Sequence, residues 1–82
     1  MYRICTEDVN REAIQRILDA HVDGYGLFAG IGCWKGQHED SLSIDLIGAT
    51  RETVLAIAEA IKATNKQESV LVYEIPVNAT FV

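Results

Sequence analysis

The sequence predicts an α+β domain in which two helices cover one face of a four-stranded antiparallel sheet. Two segments have apolar residues at helical spacing, and four segments are rich in β-forming residues. They follow one another in the order β-α-β-β-α-β, with a β-prone tail after the last strand. A length of 82 residues has room for one domain, so we expect a single domain over residues 1–82.

The first strand and the first helix are predicted in the opening quarter of the chain. Residues 2–6 are rich in β-forming side chains and predict a short strand. Residues 11–21 carry apolar side chains every three or four positions, which predicts an amphipathic helix. Asn10 or Asp8 is expected to cap its start, because a short polar side chain can accept a hydrogen bond from the first turn.

The middle of the chain predicts a β-hairpin. Residues 25–35 form its first strand, although three of them are glycines. Residues 36–40 are polar and are expected to form the connecting loop. Residues 41–47 alternate between apolar and polar and form the second strand. Three of its apolar residues are expected to face the helices: Leu42, Ile44 and Leu46.

The last third predicts a second helix, a strand and the tail. Residues 51–64 form the helix, which Thr50 is expected to cap. Residues 69–75 form the strand, and Pro76 ends it because proline has no N–H to donate to a ladder. Residues 77–82 alternate again, and we expect this tail to add a strand either to its own sheet edge or to that of a neighbouring copy. The alternative is a frayed tail.

This order of elements is that of the ferredoxin-like fold, a split repeat of two β-α-β units. Right-handed crossovers put both helices on one sheet face and leave the other face open. Apolar residues make up 49% of the chain, more than two helices on one face can hide. We therefore expect either small and polar residues on the open face or a second copy of the chain covering it.

The open face is expected to be lined by the outward residues of the two hairpin strands. The second of these strands contributes Ser41, Ser43, Asp45 and Ile47. The first contributes one of two pairs, Phe28 with Trp34 or Leu27 with Ile31.

The glycine-rich strand is the least ordinary part of the sequence. Glycine weakens a strand unless something packs close to its backbone. We expect Trp34 to lie across Gly30 or Gly32; the alternatives are contact of this tryptophan with a ligand or with another subunit. No helix follows the earlier Gly24-x-Gly26 pair, so it does not form a phosphate-binding loop.

A small-ligand site is expected beside this hairpin. Its candidate residues combine one aromatic ring with charged, amide and hydroxyl groups: Trp34, Lys35, Gln37, Glu39 and Ser41. The ligand is expected to be small and anionic, for example nucleotide-like. Arg3 and Lys35 are the basic residues on predicted strands, and they would bind an anion together if the sheet or a subunit contact brought them close.

Other reactive side chains give weaker signals. His38, Glu39 and Asp40 are adjacent and are expected to form a solvated hairpin tip, with an acid–base pair as the alternative. His21 is expected to bind the last carbonyls of the first helix. No cluster of histidines and cysteines suggests a metal, and no cofactor or catalytic residue is assigned.

Composition argues against several classes of function. Cys5 and Cys33 lie far apart in sequence, and both are expected to be small buried residues rather than a disulfide. A net charge of −5 argues against non-specific nucleic-acid binding. We recognise no signal peptide and no membrane span, which favours a cytoplasmic protein.

The hairpin resembles one in small uncharacterised proteins of bacteria and their phages. The shared pattern is aromatic-x-Gly-Gln-x-Glu-x-Ser-Leu, which here runs from Trp34 to Leu42, and the similarity spans residues 24–81. This resemblance implies a ferredoxin-like fold that assembles through its sheet. More loosely, the plan is similar to signalling proteins of the PII type, trimers that bind nucleotides between subunits; residues 36–40 replace their long loop.

Three functions stay open on the sequence. The first is a non-enzymatic homo-oligomer that holds a small ligand at the hairpin, as a phage protein that sequesters a defence signal would. The second is an acidic module that binds or inhibits another protein. The third is a small dimeric enzyme that uses His38 and Glu39 or Glu74.

Overall fold

Six elements of secondary structure follow one another in the computed structural model, which describes residues Met1–Val82. They are β1 (Tyr2–Glu7), α1 (Arg11–His21), β2 (Gly26–Trp34), β3 (Gln37–Leu46), α2 (Arg51–Thr64) and β4 (Leu71–Glu74). The strands form one antiparallel sheet in the order β2-β3-β1-β4. The predicted α+β class, with two helices on a four-stranded antiparallel sheet, is confirmed.

Both helices have the predicted bounds, and their starts differ in chemistry. The Thr53 N–H donates to the Thr50 hydroxyl at 3.2 Å, so the predicted cap of α2 is confirmed. Asn10 has φ 54° and makes no side-chain cap bond, and Asp8 pairs with the Arg11 guanidinium. The predicted side-chain cap of α1 by Asn10 or Asp8 is therefore wrong. Neither helix is long and apolar enough to cross a membrane.

The core lies between the helices and one face of the sheet. β3 contributes its three predicted apolar residues, each at most 1% exposed, and β1 contributes Ile4. The helices contribute side chains from the apolar stripe of each: Ile14, Leu18, Val54, Ile57, Ala58 and Ile61. Because these side chains come from both helices, α1 and α2 pack on the same sheet face.

The strand register decides which residues share the open face. Residues directly opposite each other in an antiparallel pair point to the same side. Phe28 lies opposite Ser43, and Trp34 lies opposite Gln37. Of the two pairs left open by the sequence, Phe28 and Trp34 therefore occupy the open face.

The hairpin turn is shorter than predicted. Lys35 and Gly36 alone join β2 to β3, with φ values of 50° and 77°, as a two-residue type I′ turn requires. The predicted loop at residues 36–40 is wrong, because β3 already begins at Gln37. β1 ends at Glu7 opposite Ser41, so residues Ile31–Asp40 extend past it as a two-stranded ribbon, called the hairpin arm below.

The tail adds no strand to its own sheet. β4 is shorter than predicted, and the ladder continues only to a Met1–Ile75 pair, whose N–H···O distances are 3.0 and 2.7 Å. Residues 77–82 make no backbone hydrogen bond, and Phe81 is fully exposed. The expectation of a strand in the same chain is wrong, and pairing with a neighbouring copy stays a prediction.

Candidate functional site

Four of the five candidate residues lie in one row on the open face. Trp34 is opposite Gln37, and Glu39 is opposite Gly32. Ser41 is two positions further along β3, and alternate residues of a strand point to the same side. The row from Gln37 to Ser41 is roughly 13 Å long at the 3.3 Å rise of a strand. The structure thus brings together side chains that the sequence grouped by spacing.

Lys35, the fifth candidate, occupies the hairpin turn rather than a strand. Its ammonium nitrogen lies 5.8 Å from the centre of the Trp34 ring, within the range of a cation–π contact. The tip of the arm therefore offers an aromatic ring with a positive charge beside it.

Arg3 does not share a site with Lys35. Its Nε donates to Oδ1 of Asp45 at 2.5 Å and its Nη2 to Oδ2 at 2.9 Å. Asp45 lies opposite Gly26, eight positions from Trp34 along β2, which is roughly 26 Å. The two cations therefore do not form an anion site within one copy of the chain, and a site shared between subunits stays a prediction.

The ring that lies across a glycine belongs to Phe28. A Cβ placed on Gly26 would be 3.1 Å from the Phe28 ring, whereas one placed on Gly30 or Gly32 would meet only Ser41 within 4 Å. The expectation that Trp34 covers Gly30 or Gly32 is wrong. Trp34 is 70% exposed, so its ring is accessible for other contacts. No ring covers Gly30 and Gly32, so the sheet surface beside Ser41 is low.

Glu7 joins the site, although the sequence did not indicate it. It ends β1 opposite Ser41, which makes it a diagonal neighbour of Glu39. The pKa of Glu39 is raised above its ordinary value. The largest cause is desolvation, followed by the charge of Glu7 and a hydrogen bond with Glu7. Residues 7–10 predict a break after the first strand, and only the register with β3 shows that two carboxyl groups meet.

The acid–base pair considered for the hairpin is not assembled. His38 lies opposite Cys33 and faces away from Glu39, its neighbour in β3. Glu74 lies on β4, at the far edge of the sheet. His21 bonds the Ile17 carbonyl through Nδ1 at 2.8 Å, which confirms its predicted place at the end of α1.

The two cysteines differ from the expectation that both are buried. Cys5 is half-buried on the open face, with its Sγ 3.9 Å from the Ser43 hydroxyl, and Cys33 is exposed on the opposite side of the arm. Both thiols are free.

Neither main surface cleft includes any of the five candidate residues. The larger, of about 900 Å³, opens near the end of α1 and is lined in part by Phe28, Ile47 and Phe81. The smaller, of about 380 Å³, runs between α2 and β4. The candidate row is therefore an open surface in a single copy.

The chemistry of the row suits a flat molecule with hydrogen-bonding edges. It presents an aromatic face at Trp34, a positive charge at Lys35, and amide and carboxylate oxygens at Gln37 and Glu39. Neither a scan against protein-family models nor a search of curated proteins finds a match for this chain.

Proposed function

We propose that this chain is a non-enzymatic binding protein that assembles with further copies of itself and holds a small, nucleotide-like ligand on the hairpin arm. The observation that carries this proposal is the exposure of Trp34, which is 70% exposed and lies at one end of a row of polar side chains. Stacking of a nucleobase on an aromatic side chain is worth about 1–3 kcal/mol. The arm supplies that ring without any rearrangement of the core.

The polar groups of the row favour one orientation of the ligand. Gln37 can both donate to and accept from a base edge, and ionised Glu39 accepts only. Amino and imino groups of a base therefore suit this part of the row, where they would also relieve the repulsion between Glu39 and Glu7. Lys35 is the cation beside the ring, so the phosphate end lies toward the turn.

The exposure of the arm supports the proposed assembly. A two-stranded ribbon with no third strand is marginally stable in water, and this one leaves Ile31 77% exposed and Trp34 70% exposed. A second copy laid on the open face would cover Trp34 and close the open row over the ligand, whereas Ile31 lies on the other face of the arm. The arm of one copy thus supplies one wall of the site.

We propose that each chain of this assembly has the ferredoxin-like fold. Counted from β4, the sheet order is β4-β1-β3-β2, and the two helices lie on one face and leave the other for contact between copies. We further propose that the protein sequesters its ligand in the cytoplasm, in keeping with the resemblance of its hairpin to that of small bacterial and phage proteins. Two free thiols are compatible with such a reducing compartment.

A thermal-shift titration tests the ligand directly. The probes are nucleoside monophosphates, triphosphates and cyclic nucleotides, added separately. Ligand at roughly 100 times its Kd stabilises the folded state by about 2.7 kcal/mol, which raises the Tm of a domain this small by roughly 10–20 °C. Trp34→Ala should abolish the rise, and Ile31→Ala, on the other face of the arm, should keep it. No rise with any probe would refute the nucleotide-like ligand.

A further inference from the structure

The outer edge of β4 has backbone groups with no partner. β4 pairs only with β1. Met1 and Ile75 bond each other in both directions, and such pairs alternate along an antiparallel ladder. The N–H and C=O groups of Val72 and Glu74 therefore point away from β1, toward the open edge.

A groove lies beside this edge, on the side of the sheet that carries the helices. It has a volume of about 380 Å³, and its lining includes Leu55, Ala58, Val70 and Val72. Leu55 is 39% exposed, so the apolar surface of α2 continues into the groove. A strand added to β4 would place every second side chain over this surface.

The tail has the pattern that such a strand needs. Val77, Ala79 and Phe81 alternate with more polar positions at Asn78 and Thr80. Six residues, 77–82, extend roughly 20 Å as a strand, enough to pair with all of β4. None of their backbone groups is bonded within their own chain.

The tail does not fold back onto the β4 from which it emerges, and the residues at this point disfavour a tight hairpin. A tight hairpin would place Ile75 and Pro76 at the two central positions of a type I′ or II′ turn. Both turns require positive φ at the first position, which a β-branched residue such as Ile75 avoids. The type I′ turn also requires it at the second, where the ring of Pro76 fixes φ near −65°. The tail instead places Phe81 at the larger cleft.

We propose that the tail Val77–Val82 of one copy pairs with β4 of a second copy and becomes the fifth strand of its sheet. Val77, Ala79 and Phe81 then cover the groove between α2 and β4, while Asn78 and Thr80 lie on the open face. Pro76 acts as the hinge between β4 and the exchanged strand. Reciprocal exchange gives a dimer with two such contacts.

Two variants separate the donor from the acceptor of this contact. A chain that ends at Pro76 keeps the edge but has no tail. Glu74→Pro keeps the tail but removes an outward N–H, and proline is tolerated where the N–H faces away from the sheet. Glu74→Ala is its matched control. Ala79→Pro is a third variant, and it cannot disturb the fold because the tail makes no backbone bond in its own copy.

Light scattering coupled to size-exclusion chromatography gives the mass of each chain, with circular dichroism to verify folding. The intact chain and Glu74→Ala should have the same mass. The shortened chain, Glu74→Pro and Ala79→Pro should each have half of it. An equal mixture of the shortened chain and Glu74→Pro should form a mixed dimer, since one supplies an edge and the other a tail.

An unchanged mass for the shortened chain and for Ala79→Pro would overturn the exchange. The result is distinguishable from the outcome for the ligand site, because all of these variants keep Trp34 and the arm. A nucleotide-dependent rise in the Tm of the shortened chain would leave the ligand site standing even if the exchange failed.

Discussion

Arg3 and Asp45 face each other on β1 and β3 and form a bidentate ion pair in the middle of the open sheet face. The hydrogen bond to Asp45 raises the pKa of the Arg3 guanidinium. The guanidinium also lies 5.9 Å from the centre of the Tyr73 ring on β4. A copy laid on this face would therefore meet a neutralised pair at its centre and exposed aromatic rings at its edges.

Removing one partner of this pair should lower stability in a salt-dependent way. Asp45→Asn leaves the partly exposed Arg3 without its carboxylate, and we expect the Tm to fall by roughly 2–5 °C at low salt. The difference should shrink in 1 M NaCl because salt screens the lost attraction. Asp40→Asn removes an exposed carboxylate that has no ion-pair partner and is the control. Equal melting temperatures for the two variants would contradict the role given to the pair.

Two isoleucines on neighbouring strands should differ widely in their contribution to stability. Ile44 lies under the helices and is 0% exposed, whereas Ile31 lies on the arm and is 77% exposed. Ile44→Ala should cost about 2–5 kcal/mol in the free energy of unfolding. Ile31→Ala should change it by less than about 0.5 kcal/mol. Urea unfolding measures both, and similar costs would mean that the helices do not cover β3 as described.

Alanine should have opposite effects on stability at Gly36, which lies in the type I′ turn, and at Gly24, which lies outside it. Gly36 has φ 77° and an empty space around its Cα, so Gly36→Ala introduces backbone strain of about 1 kcal/mol without a clash. Gly24 also has open space but no positive φ. Gly24→Ala should therefore stabilise the fold by about 0.5 kcal/mol. A Gly36→Ala variant as stable as the parent in urea unfolding would refute the turn.

The helices and the core were predictable because local signals agree there. Thr50 and the apolar stripe at Val54, Ile57 and Ile61 define α2 without reference to the rest of the chain. The alternation of β3 likewise identified Leu42, Ile44 and Leu46 as core residues.

The hairpin arm was not predictable in the same way. Its side chains are exposed on both faces, so the polar run at His38 and Asp40 looks like a loop although it is part of β3. The turn is set by positive φ at Lys35, a residue type that carries no strong turn signal. The meeting of Glu7 with Glu39 depends on strand register over a long sequence separation, which no local pattern reports.

The carboxyl pair at the base of the arm predicts a pH-dependent effect. The pKa of Glu39 is raised above its ordinary value of 4.5, so the folded chain holds this proton more tightly than the unfolded chain. The stability that protonated Glu39 contributes is therefore lost as the pH rises from its ordinary pKa through its raised pKa. Glu39→Gln should raise the Tm at pH 7 and leave it unchanged at or below pH 4.

The exposed carboxyl of Glu68 provides the comparison for this effect. Glu68→Gln should leave the Tm unchanged at both pH values. In a Glu7→Gln background, Glu39→Gln should have a smaller effect than in the parent, because the repulsion is already gone. Additive effects of the two substitutions would show that the carboxyl groups do not interact.

Fluorescence of Trp34 tests the central claim most directly, because it is the one tryptophan of the chain and lies in the proposed site. The measurement is a titration of the intact chain with adenosine and guanosine monophosphates, corrected with N-acetyltryptophanamide for absorption by the nucleotide. Stacking of a base on Trp34 predicts quenching that saturates and weakens in Gln37→Ala. Quenching that stays linear and equals that of the reference compound would contradict a ligand site on the hairpin arm.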